Sequence, residues 1–307
     1  MKDSWQILKT TYNAWVAQDP FRQSAIIAYY AIFSLPALLV IIISVAGFFF
    51  GHEAVTGQLS HNINRIMGAD TAKQIESMIA QASISDKSSW ATVIAVVIMF
   101  LGSTAVFVQL QKTFNIIWQV KPRVKGKFLM VLKARLLSFG LVLTIGFLLL
   151  ISLVITSLVA LFGLWLETRM PGIAVIMLQI LNFIISFGLI TVLFAMMFKF
   201  LPDAKIKWRN VWTGAVLTSL LFSLGQGALG FYFGKATPAS TYGAAGSVIL
   251  IMIWMSYSCM ILFFGAEFTR QFTLAREKKI VPMEHAVKEK RDDNKRVETK
   301  DVSPKKV

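Results

Sequence analysis

A single cysteine and three histidines are all that the chain offers a disulfide or a soft metal. Cys259 alone excludes an intramolecular disulfide and any multi-cysteine metal site. His52, His61 and His285 form no HExxH pair and no CxxC occurs, so zinc lacks a convergent ligand set. His52, Glu53 and His61 read as solvated surface residues. The chain has no GxxxxGK[ST] loop to cradle a nucleotide phosphate and no GxSxG elbow to expose a nucleophile. Acids are scarce as well: 16 Asp and Glu face 31 Lys and Arg, a net charge of +15. In a soluble chain that imbalance would suggest nucleic acid. Here few aromatics interleave with the basic residues, apart from Phe128 and Trp208, which fits nucleic acid poorly. The expectation is a chain with no cofactor, no metal site and no enzymatic activity.

What the chain has in excess is apolar residues, in runs longer than the 18 or so that cross a hydrocarbon core of about 30 Å. The segment YGAAGSVILIMIWMSYSCMILFFGAEF, 242–268, is the clearest. Ser247, Trp254, Ser258 and Gly265 fall on one face of it, suited to packing on protein. Six runs are expected to span: 25–50, 90–110, 137–164, 173–198, 211–233 and 242–268. The fold class is therefore all-α, a polytopic membrane protein with six transmembrane helices.

Before the first run, Trp5, Leu8, Tyr12, Trp15 and Val16 share a helical face, and Pro20 follows. Residues 1–24 thus read as an interfacial amphipathic helix, with an ordinary helix packed on the protein as the alternative. No cleavable leader is expected in them. Pro36 is expected to kink the first span, near Tyr29, Tyr30 and Ser34. Residues 52–89 form a helical periplasmic excursion, with Leu59, Ile63, Ile66 and Met67, then Ile75, Met78, Ile79 and Ala82, marking two amphipathic helices. Ala215, Ser219, Ser223 and Gly227, then Gly230 and Gly234, form a ridge of small residues for close helix approach. The domain plan is 1–24, a transmembrane domain over 25–268, and a charged, partly disordered tail over 269–307.

Charge sets the orientation. The N-terminus, the 112–136 and 199–209 segments and the tail carry 26 of the 31 basic residues. The positive-inside rule then places both termini in the cytoplasm of a multi-pass protein in the bacterial cytoplasmic (inner) membrane. Membrane lipids are the expected partners, and a homo-oligomer is compatible with the chain.

Polar residues within or beside spans need a reason. Gln109, Gln179, Asn182 and Gln226 suit interhelical hydrogen bonds, or else a hydrophilic route. Glu267 is the sharpest. If its helix stopped there, the carboxylate would oppose the negative helix end, so either the helix continues or a cation compensates. Arg270, three residues on, is the local partner and Arg135 the distant one. A structural clamp is favoured over a transport site.

The segments FRQSAIIAYYAIFSLPALLVIII at 21–43, PDAKIKWRNVWTGA at 202–215 and the closing 242–268 helix resemble the YihY/BrkB family of bacterial inner-membrane proteins. The resemblance covers about residues 5–275 and implies six helices in the cytoplasmic membrane. Matching family positions are Tyr29, Tyr30, Ser34, Pro36, Pro202, Asp203, Gly214, Tyr242, Gly243, Gly265 and Glu267. Pro202–Asp203 reads as a helix stop and turn, and the glycines as close-contact points. Members tied to envelope lipid export imply transport of a lipid or other amphiphile. An older ribonuclease BN label implies a nuclease, for which this chain supplies no residues. Transport or export of a lipid-like substrate leads, with a non-transporting scaffold for envelope assembly as the alternative.

Overall fold

The computed structural model describes residues 4–50, 105–122, 174–236, 246–283 and 286–288, with isolated positions between 56 and 77. Helices dominate. They are α1 (Ser4–Val16), α2 (Pro20–Phe50), α3 (105–118), α4 (Ala174–Phe200), α5 (Trp208–Ala236) and α6 (Gly246–Glu277). Within α4, α5 and α6, Ile180–Phe200, Trp208–Phe233 and Val248–Glu277 are long and apolar enough to cross a membrane. They correspond to the fourth, fifth and sixth expected spans, and α2 contains the first. The expected span at 137–164, and all of 90–110 except 105–110, lie outside the described residues. Among the described residues, then, three helices have membrane length and the fold is mostly helical.

The last helix runs past the expected span, as one of the two alternatives at Glu267 requires. It does not stop at 268 but continues to Glu277, with Arg276 in its final turn where a cation suits the helix dipole. The charged residues after 268 did not end it because Arg270 is buried against a partner, as described below.

Among the described residues, three chain turns use left-handed residues other than glycine. Asp19, Gln119 and Lys278 all take left-handed φ values, 55°, 54° and 57°. Their backbone N–H groups donate to Val16, Ile116 and Leu274, closing the ends of α1, α3 and α6. Pro20 then opens α2, a first-turn position where its missing N–H costs nothing. So Pro20 separates the two helices as expected, by starting the second. Further on, α2 remains helical through Pro36.

Among the described residues there are also two small antiparallel ladders. β1 (Val120–Pro122) pairs with β4 (Ala286–Lys288), and β2 (Ala204–Lys205) pairs with β3 (Val281–Pro282). The early part of the tail is therefore folded back onto both basic segments between helices.

α6 is the central element, packing on α2, α5 and α1, while α4 packs on α5. One core cluster gathers Ile27 of α2, Phe114 and Trp118 of α3, Phe198 of α4, Val211 and Ala215 of α5, and Phe263 and Ala266 of α6. Phe114 sits 6.1 Å from Phe198 and 6.3 Å from Phe263 between ring centroids, within the range of favourable aromatic pairs. A smaller cluster joins Leu39, Ile75 and Ile251, with Leu59, Ile63 and Trp254 against it. Leu59, Ile63 and Ile75 of the excursion thus act as its apolar faces predicted. Ile66, Met67, Met78, Ile79 and Ala82 lie outside the described residues.

Candidate functional site

The buried charges among the described residues are Asp203, Glu267 and Arg270. All belong to the end of the bundle where α1, the β ladders and the C-terminal half of α6 meet.

Glu267 is completely buried, and its carboxylate accepts three side-chain hydrogen bonds. Arg270 Nη1 donates to Oε1 at 2.8 Å, and Gln271 Nε2 to the same oxygen at 2.6 Å. Gln18 Nε2, from the turn between α1 and α2, donates to Oε2 at 2.8 Å. The first two donors follow from helical spacing of three and four residues. The third is long-range, and it fastens α1 to α6 with help from an edge-to-face Trp15–Phe264 contact at 5.8 Å. A buried carboxylate is tolerable only when a cation and hydrogen bonds replace its water, and here both are present. Arg270 Nε is buried without a hydrogen-bond partner among the described residues. Arg135, the other cation expected near Glu267, lies outside the described residues. Chemically the cluster is a clamp in which both oxygens of the Glu267 carboxylate are engaged by protein donors.

Asp203 follows Pro202 at the end of α4 and is also buried. Asn115 of α3 donates through Nδ2 to Asp203 Oδ2 at 2.8 Å and accepts the Asp203 backbone N–H at 2.9 Å. Gln111 Nε2 reaches Oδ1 at 3.3 Å, and the Asp203 carbonyl accepts the Met283 N–H at 2.9 Å. One turn residue therefore joins α3, the α4–α5 connection and the tail. The expected helix stop is there, and it carries a clamp that the turn reading did not contain.

Two of the glycines expected at close contacts, Gly214 and Gly265, face each other's helix. A Cβ on Gly214 would overlap Thr269 Oγ1, and a Cβ on Gly265 would overlap Thr218 Oγ1. Each threonine hydroxyl donates 2.7 Å to the glycine carbonyl four residues earlier on its own helix. Both helices thus present the pattern Gly-Ala-x-x-Thr, at 214–218 and 265–269, and run antiparallel, so the contact is reciprocal. The expected ridge is used unevenly. Ala215 and Ser219 are buried, whereas a Cβ at Gly227 or Gly230 would meet nothing within 4 Å. Farther along, Gly225 lies under the Tyr257 hydroxyl.

On α2 the flagged residues divide. Ser34 is buried, and its hydroxyl donates to the Ala31 carbonyl at 3.3 Å. Tyr29 and Tyr30 are exposed, with ring contacts from Tyr29 to Tyr30 at 5.8 Å and to Phe33 at 5.1 Å. Pro36 lies within the helix. Tyr242 and Gly243 fall outside the described residues. Of the polar residues assigned to spans, Gln109 and Gln226 are half-buried and Asn182 is exposed. The polar groups that do join elements are Gln18, Gln23, Gln111, Thr113, Asn115 and Asn210. Thr113 of α3 donates to Gln23 of α2 at 3.3 Å, and Asn210 of α5 to Glu277 of α6 at 2.7 Å. Among the described residues, no group of three or more His, Cys, Asp or Glu could hold a metal.

These features define a helical integral membrane protein, tied together at one end by buried polar clamps. The chain belongs to the virulence factor BrkB family, whose family model matches residues 11–291. It is similar to a UPF0761 membrane protein of Azotobacter vinelandii, 26% identical over 89% of this chain and 64% of that one. Another, from Stenotrophomonas maltophilia strain K279a, is 25% identical over 83% of this chain and 58% of its own length. A third, from Methylibium petroleiphilum, is 30% identical over 56% of this chain and 40% of its own. The chain thus spans less than two thirds of these relatives' lengths. No solved structure matches.

Proposed function

We propose that the protein moves a lipid or other amphiphile across the bacterial cytoplasmic membrane. In this reading it is multi-pass, with both termini in the cytoplasm, as the basic segments favour. The observation that carries it is the outer face of α2. Ile27, Ala28, Ala31 and Ser34 are buried, while Tyr29, Tyr30 and Phe33 face outward, Tyr29 being 56% exposed. Tyr29 lies nine residues into the helix, about 14 Å along it. Two phenol hydroxyls on an outward surface at that depth suit a polar headgroup sliding past while its chains stay in lipid. The buried carboxylates, by contrast, are engaged by protein donors.

The test is translocation of a fluorescent phospholipid in proteoliposomes, read by bleaching of the outer leaflet. Wild-type protein is expected to expose the inner-leaflet label. The Tyr29→Phe and Tyr30→Phe variants are expected to slow this by roughly fivefold each, the net value of one hydrogen bond. Protein-containing vesicles that bleach like empty ones overturn the reading.

One observation favours a scaffold instead: Asp203, Gly214, Gly265 and Glu267 all have packing or clamping roles. A protein that moves no lipid yet copurifies with a stoichiometric envelope protein would support that second reading.

A further inference from the structure

The outer face of α5 combines features that point to one kind of ligand. Trp208, Trp212, Val216 and Leu220 recur every fourth residue and are all exposed, forming a single inclined ridge. Its twelve-residue length rises about 18 Å, close to the depth of one leaflet. Aromatics occupy its head and aliphatic side chains its body, the order expected on passing from headgroups into acyl chains. Phe200 of α4 extends the aromatic head, 6.2 Å from Trp208 between ring centroids.

Cations crown the same end. Residues 199–209 contain Lys199, Lys205, Lys207 and Arg209. Lys199 is held in place: its ammonium lies 5.5 Å over the Trp208 ring and donates to the Ile206 carbonyl. Lys205, Lys207 and Arg209 are exposed. Among the described residues, the nearby acids are already engaged. Asp203, the acid of this segment, is buried against Asn115, and Glu277 is engaged by Lys207 at 3.5 Å and by Asn210.

We propose that this surface binds one anionic phospholipid, its phosphate among Lys199, Lys205 and Arg209 and an acyl chain along Val216 and Leu220. Trp208 sits at the junction, its ring under the Lys199 ammonium. A zwitterionic lipid satisfies the ridge but leaves the cations with less compensation, so the site selects by headgroup charge. The site does not depend on lipid translocation and stands if that activity is absent.

The test uses the full chain with Cys259→Ala and Val216→Cys, labelled with a small fluorophore and reconstituted in phosphatidylcholine. Increasing fractions of brominated-chain phosphatidylglycerol or brominated-chain phosphatidylcholine then quench the label. Half-quenching is expected at a several-fold lower fraction of phosphatidylglycerol. That advantage should be largely lost in Lys199→Gln and in Arg209→Gln, each cation being worth about fivefold, or about 1 kcal/mol, near the surface. A label at Ile184→Cys, on an exposed part of α4 away from these cations, should show no preference between the lipids. Equal quenching by the two lipids at Val216→Cys overturns the proposal. So does an equal phosphatidylglycerol preference at Ile184→Cys, which would mean diffuse surface charge without a site. Helicity and monodisperse elution of each variant establish that it is folded.

Discussion

Asn115 and Asp203 hold each other in both directions, the Asn115 amide donating to the Asp203 carboxylate while its carbonyl oxygen takes the Asp203 backbone N–H. The pair connects α3 to the turn after α4 from residues 88 apart in sequence. Because both partners are buried, losing one strands the other in a poorly solvating environment. Asn115→Ala is expected to destabilise the protein by about 1–3 kcal/mol. Asn115→Asp should cost more, since it places a second carboxylate against the first. Denaturant unfolding in detergent micelles checks both.

The crossing of α5 and α6 yields a steric prediction. Gly214→Ala and Gly265→Ala each drive a methyl group into a threonine hydroxyl of the other helix. Each should lower the unfolding midpoint, by the about 1–3 kcal/mol typical of overpacking. Thr269→Ser and Thr218→Ser remove only a methyl and should not rescue, whereas Thr269→Gly should restore much of the loss in Gly214→Ala. Gly227→Ala is the matched control. It faces open space in the middle of α5, so it should be neutral or stabilising by about 0.5–1 kcal/mol.

Cys259 is buried in α6. A maleimide reagent should therefore leave the native protein unlabelled and react at one site per chain only after denaturation. Mass spectrometry of the intact protein reads this directly. Rapid labelling of the native form would contradict the packing of α6 in the core.

The uneven legibility of the fold follows from the range of each interaction. Membrane-length helices announce themselves through continuous apolar runs, and α4 and α5 lie close to their expected limits while α6 continues nine residues past its own. Arg270 was identifiable as the partner of Glu267 because three-residue helical spacing is a local signal. Gln18 was not, since its distance of 249 residues from Glu267 is set only by tertiary packing. The same holds for Asn115, which sits in an apolar stretch beside a basic segment whose charge drew a topological reading. The β ladders were invisible because two- and three-residue strands have no periodicity to detect. Gly214 and Gly265 were marked as contact points. The signal that would have paired them is the repeated Gly-Ala-x-x-Thr pattern, which the small-residue ridge from Ala215 to Gly234 obscured.

The central claim is that Glu267 is a clamp joining α1 to α6 and not a group that meets a substrate. The direct measurement is the unfolding free energy of Glu267→Ala, Gln18→Ala and the double variant, alongside lipid translocation by each. Removing Glu267 leaves Arg270 buried without its carboxylate, so a loss of about 3–5 kcal/mol is expected. Gln18→Ala should cost about 1.5–3 kcal/mol alone and much less once Glu267 is gone, revealing the coupling. Wild-type stability in Glu267→Ala, together with abolished translocation, would contradict the clamp and make Glu267 a functional site.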